Sequence, residues 1–259
     1  MKHQEIINHI VKWLTDYSNS SKTEGFVIGI SGGIDSALTS TLCALTGKQV
    51  YCINMPIRQH KDEFSRGTEH IEWLKKNHSN VKSDFIDLTP ILETIERTYD
   101  PKLQDFLTMA NTRARLRMTT LYGYAGHYKA LVAGTGNKIE DFGIGFFTKY
   151  GDGGVDISPI ADLMKSQVYA LAGTLGVNGA ILNARPTDGL FMDGRTDEDQ
   201  IGATYDELEW AMLYIENKES YELNERQNAV MKIYQDRNKA NKHKMEPIPV
   251  CEIPKEFLI

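Results

Sequence analysis

Eight consecutive residues, Gly29-Ile30-Ser31-Gly32-Gly33-Ile34-Asp35-Ser36, combine groups suited to holding phosphate. Paired glycines let backbone N–H groups approach anionic oxygens closely, and a helix beginning just after them adds the positive end of its dipole. Ser31 and Ser36 add hydroxyls. Asp35 is out of place in an anion cradle unless a cation bridges it to the phosphates, and Mg²⁺ shared between a carboxylate and ATP is the usual arrangement. The bland alternative is a strand-to-helix turn with Asp35 as helix cap. A bare double glycine favours that turn, whereas the whole SGGIDS string favours the phosphate loop. No Gly-Lys-Ser/Thr follows and the string is not GxGxxG, so neither of the two commoner nucleotide fingerprints applies.

Such a loop needs a strand ahead of it and a helix behind. Phe26–Ile30 is a β-branched apolar run that reads as a buried strand, and Asp35–Leu45 as a helix stopped by Gly47. Further strands are expected at Gln49–Met55, Asp84–Leu88 and Ala130–Ala133. Helices are expected over Met1–Tyr17, Asp62–Asn77, from Thr89-Pro90, and over Leu103–Ala125, Ala161–Leu175, Thr204–Ile215 and Glu225–Lys239. Lys149–Pro159 reads as a glycine-rich loop and Arg185–Asp199 as a polar one. Strands alternating with helices imply right-handed βαβ units, hence an α/β fold with a mostly parallel central sheet and helices on both faces. With 259 residues and no evident linker or repeat, one domain over 1–259 is expected.

Composition narrows the partners. A net charge of −6 argues against a nucleic-acid binder, which usually carries a basic excess. Cys43, Cys52 and Cys251 include no CxxC pair, which suits a reduced cytoplasmic setting and neither a zinc site nor a disulfide framework. Met1–Tyr17 carries Ile6, Ile10, Trp13 and Tyr17 at helical spacing, an amphipathic helix and not a leader, and no stretch approaches membrane-spanning length.

The SGGIDS string resembles the loop of the ATP pyrophosphatase superfamily, whose members cleave ATP between its α and β phosphates. Further motifs select among them: Asn111–Met118 (NTRARLRM), Gly134–Glu140 (GTGNKIE), Phe147–Asp156 (FTKYGDGGVD), Pro186–Leu190 (PTDGL), Thr196–Gly202 (TDEDQIG) and His243-Lys244. Together and in this order they resemble the NAD synthetases over roughly Ile6 to Lys244, with FTKYGDGG the most specific part. The fold this implies is adenine nucleotide alpha hydrolase-like, a Rossmann-like arrangement. Since the first strand begins at Phe26, no amidase domain fits before it, and the resemblance implies the ammonia-using form. The loop reads GTGNKIE where many bacterial relatives have GTDHAAE, and the Glu140–Lys149 stretch is one residue longer than in those relatives.

The resemblance also implies roles. ATP would lie on Gly29–Ser36 with Thr135, Lys165 and Thr187, and Mg²⁺ on Asp35 and Glu140, with Asp141 the neighbouring alternative. Deamido-NAD would meet Arg115, Lys149, Asp156, His243 and Lys244. Asp152 would sit near the ammonia and take its proton, or else serve only as a turn-former between glycines. A homodimer with the acceptor bound across the interface is implied too, the Leu103–Ala125 helix supplying an interface element. Taken alone, each residue has an ordinary explanation: a surface lysine for Lys165, a helix-face ion pair for Arg115, a solvated loop residue for Lys149. Two rivals remain at this level. One is another SGGxDS amidating or thiolating ligase acting on a nucleotide or tRNA; a tRNA enzyme should show a basic surface or an added RNA-binding domain, and thiolation reactive cysteines. The other is a nucleotide-sensing module, which should lack the set around Arg115 and Lys149–Asp156.

Overall fold

A computed structural model describes residues 1–59, 61–186 and 196–258, with the backbone alone for residues 61–63. Its centre is a four-stranded sheet of β1 (Gly25–Gly29), β2 (Gln49–Asn54), β3 (Val81–Phe85) and β4 (Ala130–Val132) in the order β3-β2-β1-β4. All three pairings are parallel. A single bridge from Ala133 to Ile157 extends the β4 edge.

Helices cover both faces, because side chains alternate along each strand. Phe26, Ile28, Val50, Cys52 and Leu131 point to one side. There they pack against α1 (His3–Ser20), α2 (Ile34–Leu45), α3 (Lys61–Asn77) and α6 (Lys165–Thr174). Val27, Ile53, Ala130 and Val132 point to the other side, against α4 (Thr89–Thr98) and α5 (Phe106–Tyr128). A separate cluster beyond β4 joins α8 (Asp197–Ile201), α9 (Tyr205–Glu216), α10 (Glu225–Met245) and a π-helix at Ile139–Ile144. That cluster includes Ile139, Ile144, Leu208, Met212, Val230 and Tyr234, and it anchors the π-helix from behind.

The four strands and their parallel pairing match the reading of the sequence, while several boundaries move. The third strand lies three residues earlier than Asp84–Leu88. As an edge strand only Val81 of it is buried, while Leu88 packs into the core from the turn before α4. The long helix starts at Phe106 and not at Leu103, because Asp105 caps it by accepting from Thr108 N at 3.0 Å. The next helix starts at Lys165 and not at Ala161, where the Gln167 side chain closes the first turn on Met164 N at 2.9 Å. Several short elements were not expected, two of them beside the site. Helix α8 begins within the stretch read as loop and runs past its end, with Thr196 and Asp199 forming a capping box at its start. The other is the π-helix at Ile139–Ile144, in the stretch that carries Glu140. No helix among the described residues is long and apolar enough to cross a membrane.

Candidate active site

The loop after β1 is tied together by its own side chains. Gly32 takes φ of +84°, a conformation glycine adopts without penalty. Gly33 N donates to Ser31 Oγ at 3.1 Å, and Ser36 Oγ donates to Gly33 O at 3.0 Å and lies 3.1 Å from Ser31 Oγ. The Ser36 hydroxyl is thereby spent inside the loop and does not line the cavity below. The N–H groups of Ile34, Asp35 and Ser36, in the first turn of α2, have no intrahelical acceptor and are available to an anion.

At that helix start lies a buried charge cluster. Lys165 Nζ is 2.6 Å from Asp35 Oδ2 and 3.0 Å from Glu140 Oε1, with its side chain only 4% exposed. Asn137, fully buried, donates from Nδ2 to Asp35 at 3.1 Å while its Oδ1 accepts from Ile139 N and Glu140 N. It thus caps the π-helix and fixes Asp35 with one side chain. Tyr205 Oη donates to Glu140 Oε1 at 2.6 Å, and its ring lies 4.6 Å under the Lys165 ammonium. Burial alone would lower the Lys165 ammonium, but the two carboxylates outweigh it and hold the group above its ordinary range. Burial pushes the Asp35 carboxyl up, with Lys165 pulling it back. Burial also keeps Tyr205 protonated, as a neutral donor.

The cluster opens onto a cavity of about 750 Å³. Of the residues singled out from sequence, Gly29, Ile30, Ser31, Gly33, Ile34, Asp35, Thr135, Glu140, Asp152, Lys165, Arg115, Lys149, His243 and Lys244 line it together. Gly32 belongs to the loop without lining the cavity. Asp156 stands apart: its carboxylate accepts from Tyr122 Oη at 3.0 Å and from Val132 N at 2.8 Å, outside the cavity wall. Thr187 and most of the PTDGL motif lie outside the described residues.

Asp152 sits in the loop that follows the π-helix. Its Oδ1 accepts from Thr148 N at 2.9 Å, so one oxygen holds the loop's own turn. Asp152 is exposed on the open side of the cavity, yet crowding by the surrounding wall raises its carboxyl above the usual range, with the Thr148 amide opposing. The loop lies tight against α5, since a Cβ at Gly151 would come within 2.9 Å of the Ala114 methyl. The neighbouring cations clamp the loop. Lys149 Nζ donates to His243 O at 2.6 Å, Lys244 Nζ donates to Gly145 O and Phe147 O at 2.8 Å each, and Arg115 reaches Lys149 O at 3.4 Å. Asp141 also lines the cavity, its carboxyl pushed up to about 8 by burial and by the nearby Glu140, Asp152 and Asp35.

A Mg²⁺ ion fits this donor set. Two hard carboxylates converge on one cationic centre, here the ammonium of Lys165. Among the described residues no group of three or more His, Cys, Asp or Glu could hold a metal. Mg²⁺ characteristically takes one or two carboxylates and completes its shell with water and phosphate.

Residues 6–248 match the family model described as NAD synthase. The chain belongs to the NAD synthase family. The NH(3)-dependent NAD(+) synthetase of Alkaliphilus metalliredigens is 40% identical over 223 residues, covering 82% of this chain and 86% of that one. An NMN synthetase structure from Francisella tularensis has a TM-score of 0.85 at 31% identity and covers 98% of this chain and 100% of its own. The NH3-dependent NAD synthetase structure from Campylobacter jejuni has a TM-score of 0.80 at 26% identity, covering 97% and 100%. Around the Asp35–Lys165–Glu140 cluster, sequence reading passed over Asn137 and Tyr205. Asn137 carried a signal, an Asn placed to cap the element that bears Glu140. Tyr205 carried none, because it meets Glu140 across 65 positions.

Proposed function

We propose that this chain makes NAD by ATP-dependent amidation of deamido-NAD with ammonia, releasing AMP and pyrophosphate. The observation that carries the reading is the Asp35–Lys165–Glu140 cluster beneath an SGGIDS phosphate loop, in one cavity with Asp152 and Arg115. A carboxylate is a poor electrophile. Its oxygen attacks the α-phosphorus of ATP, pyrophosphate leaves, and the acyl carbon gains AMP as leaving group. Ammonia then attacks that carbon and AMP departs with the former carboxylate oxygen. No covalent bond to the protein is needed, so its work is positioning and charge neutralisation.

The loop amides and the α2 N-terminus hold the phosphates. Asp35 and Glu140 would hold Mg²⁺, which neutralises phosphate charge. Lys165 pairs with Glu140 and not with Asp141, which favours Glu140 as the second ligand. Lys165 keeps the two carboxylates together and turns its ammonium toward the phosphates. Asp152, with the oxygen not tied to Thr148, takes a proton from ammonium or from the attacking nitrogen. The exposed apolar face of α5, with Phe106 and Leu107, supports the homodimer. Two buried thiols, Cys43 and Cys52, both raised by burial, suit a reducing cytoplasm.

Two observations make a second acceptor worth running beside the first. The Francisella neighbour is named an NMN synthetase, and Asp156 is the one expected acceptor contact outside the cavity. Nicotinic acid mononucleotide, the shorter carboxylate, is therefore run beside deamido-NAD. With ammonium as donor, kcat/KM is expected to favour deamido-NAD, and glutamine alone should support no synthesis while ammonia is scavenged. A preference for the mononucleotide would replace the acceptor, and glutamine-driven turnover would replace the donor.

Asp35→Asn tests the metal assignment. The exchange is nearly isosteric and leaves Lys165 paired with Glu140, so the fold should persist. Pyrophosphate–ATP exchange should fall by at least about 10²-fold, with the remainder requiring more Mg²⁺. Normal exchange at limiting Mg²⁺ would remove Asp35 from the metal set.

A further inference from the structure

We propose that Arg66, on α3, binds the pyrophosphate end of ATP and holds pyrophosphate after adenylation. This rests on the ATP reading above and adds a residue to it. The phosphate loop is flanked on two sides. From the β4 side come Asn137, Glu140 and Lys165. From the β2 side comes α3, whose backbone rests on the loop: a Cβ at Gly67 would stand 3.5 Å from Gly32 N. Arg66 Nε donates to Gly32 O at 3.4 Å, and the side chain lines the reaction cavity. Gln59 reaches the neighbouring loop carbonyl, Ser31 O, at 3.3 Å.

Of the guanidinium groups that line the cavity, Arg115 reaches Lys149 O, Arg117 reaches Met55 O, Arg237 reaches Gln200 O and Arg185 stands beside Pro186, while Arg66 contacts the phosphate loop itself. A triphosphate needs cations beyond the loop's partial dipole charge. Lys165 is matched by two carboxylates, and Lys149 and Lys244 are committed to main-chain carbonyls. Arg66 pairs with no carboxylate among the described residues, and its single long contact leaves the two terminal nitrogens to a ligand. A guanidinium presents those nitrogens as a fork that matches two phosphate oxygens. Adenine and ribose carry no charge, so an unpaired guanidinium beside this loop answers to the phosphates. On the side of the loop away from Lys165 and Asp152, where the acyl transfer takes place, those are the β and γ phosphates.

The test is equilibrium binding by calorimetry with the full chain, using Mg·ATP, inorganic pyrophosphate and AMP as probes. Arg66→Ala should weaken Mg·ATP and pyrophosphate by about 10- to 100-fold, the range of a charge-assisted bond, and leave AMP within about twofold. Arg66→Lys, which keeps the charge and loses the fork, should lie between, and it carries the test if the alanine variant does not fold. Unchanged pyrophosphate binding, or equal weakening of AMP, would overturn the assignment. A wild-type chain that binds Mg·ATP but forms no amide would defeat the acceptor chemistry and leave Arg66 standing.

Discussion

Replacing Lys165 with methionine is expected to cost the fold about 3–5 kcal/mol near neutral pH, because it strips the counter-cation from two buried carboxylates. Asp35 and Glu140 would then face each other with only Asn137 and Tyr205 as polar partners. The pH dependence follows from the causes acting on Asp35. Burial and Glu140 raise its carboxyl while Lys165 and, least, the Asn137 hydrogen bond lower it, so the variant keeps the raising causes with only Asn137 opposing them. A carboxyl raised in the folded state contributes stability that is present below its unfolded value and lost as pH rises through its folded one. The variant should therefore approach wild-type stability in mild acid and fall further behind as the pH climbs. Denaturant unfolding at several pH values measures this, and adenylation should be lost with the cluster. A deficit independent of pH would mean that the lysine matters for packing and not for charge.

Asp152→Asn is expected to separate the two half-reactions. The amide can still accept from Thr148 N through its oxygen, so the loop turn should survive. What disappears is a carboxylate whose raised basicity suits it to relieve ammonium of a proton. Pyrophosphate–ATP exchange should stay near wild type, while amide formation falls by about 10²–10⁴-fold. Both rates are read on the same preparation. Equal losses in both would make Asp152 a loop-holding residue, a role its Thr148 bond already fills in part.

How much of this was legible before the structure depends on the range over which each residue acts. The phosphate loop could be read directly because its geometry is local: Gly32, Gly33 and the start of α2 lie within a few residues. The strands themselves could be read because β1, β2 and β4 are apolar runs between helical stretches, whereas their order in the sheet was not read from the sequence. The edge strand β3 was misplaced because the apolar Phe85–Leu88 run outweighed the charged residues that actually pair with β2. Nothing local in Ile139–Ile144 shows that this stretch would form a π-helix. The Asp35–Lys165–Glu140 cluster brings together residues up to 130 positions apart. Resemblance placed each of them near ATP, but that one ammonium serves both carboxylates is a fact of packing. Lys149 and Lys244 were expected on the acceptor, and the structure shows them holding the loop to the end of α10, an arrangement no spacing encodes.

The central claim, activation of a carboxylate as its adenylate, is tested most directly by following heavy-isotope oxygen placed in the carboxylate of deamido-NAD. The acyl-adenylate route predicts that one labelled oxygen leaves with AMP for each amide formed and that the pyrophosphate is unlabelled. Label in pyrophosphate, or ADP and phosphate in place of AMP and pyrophosphate, would contradict it.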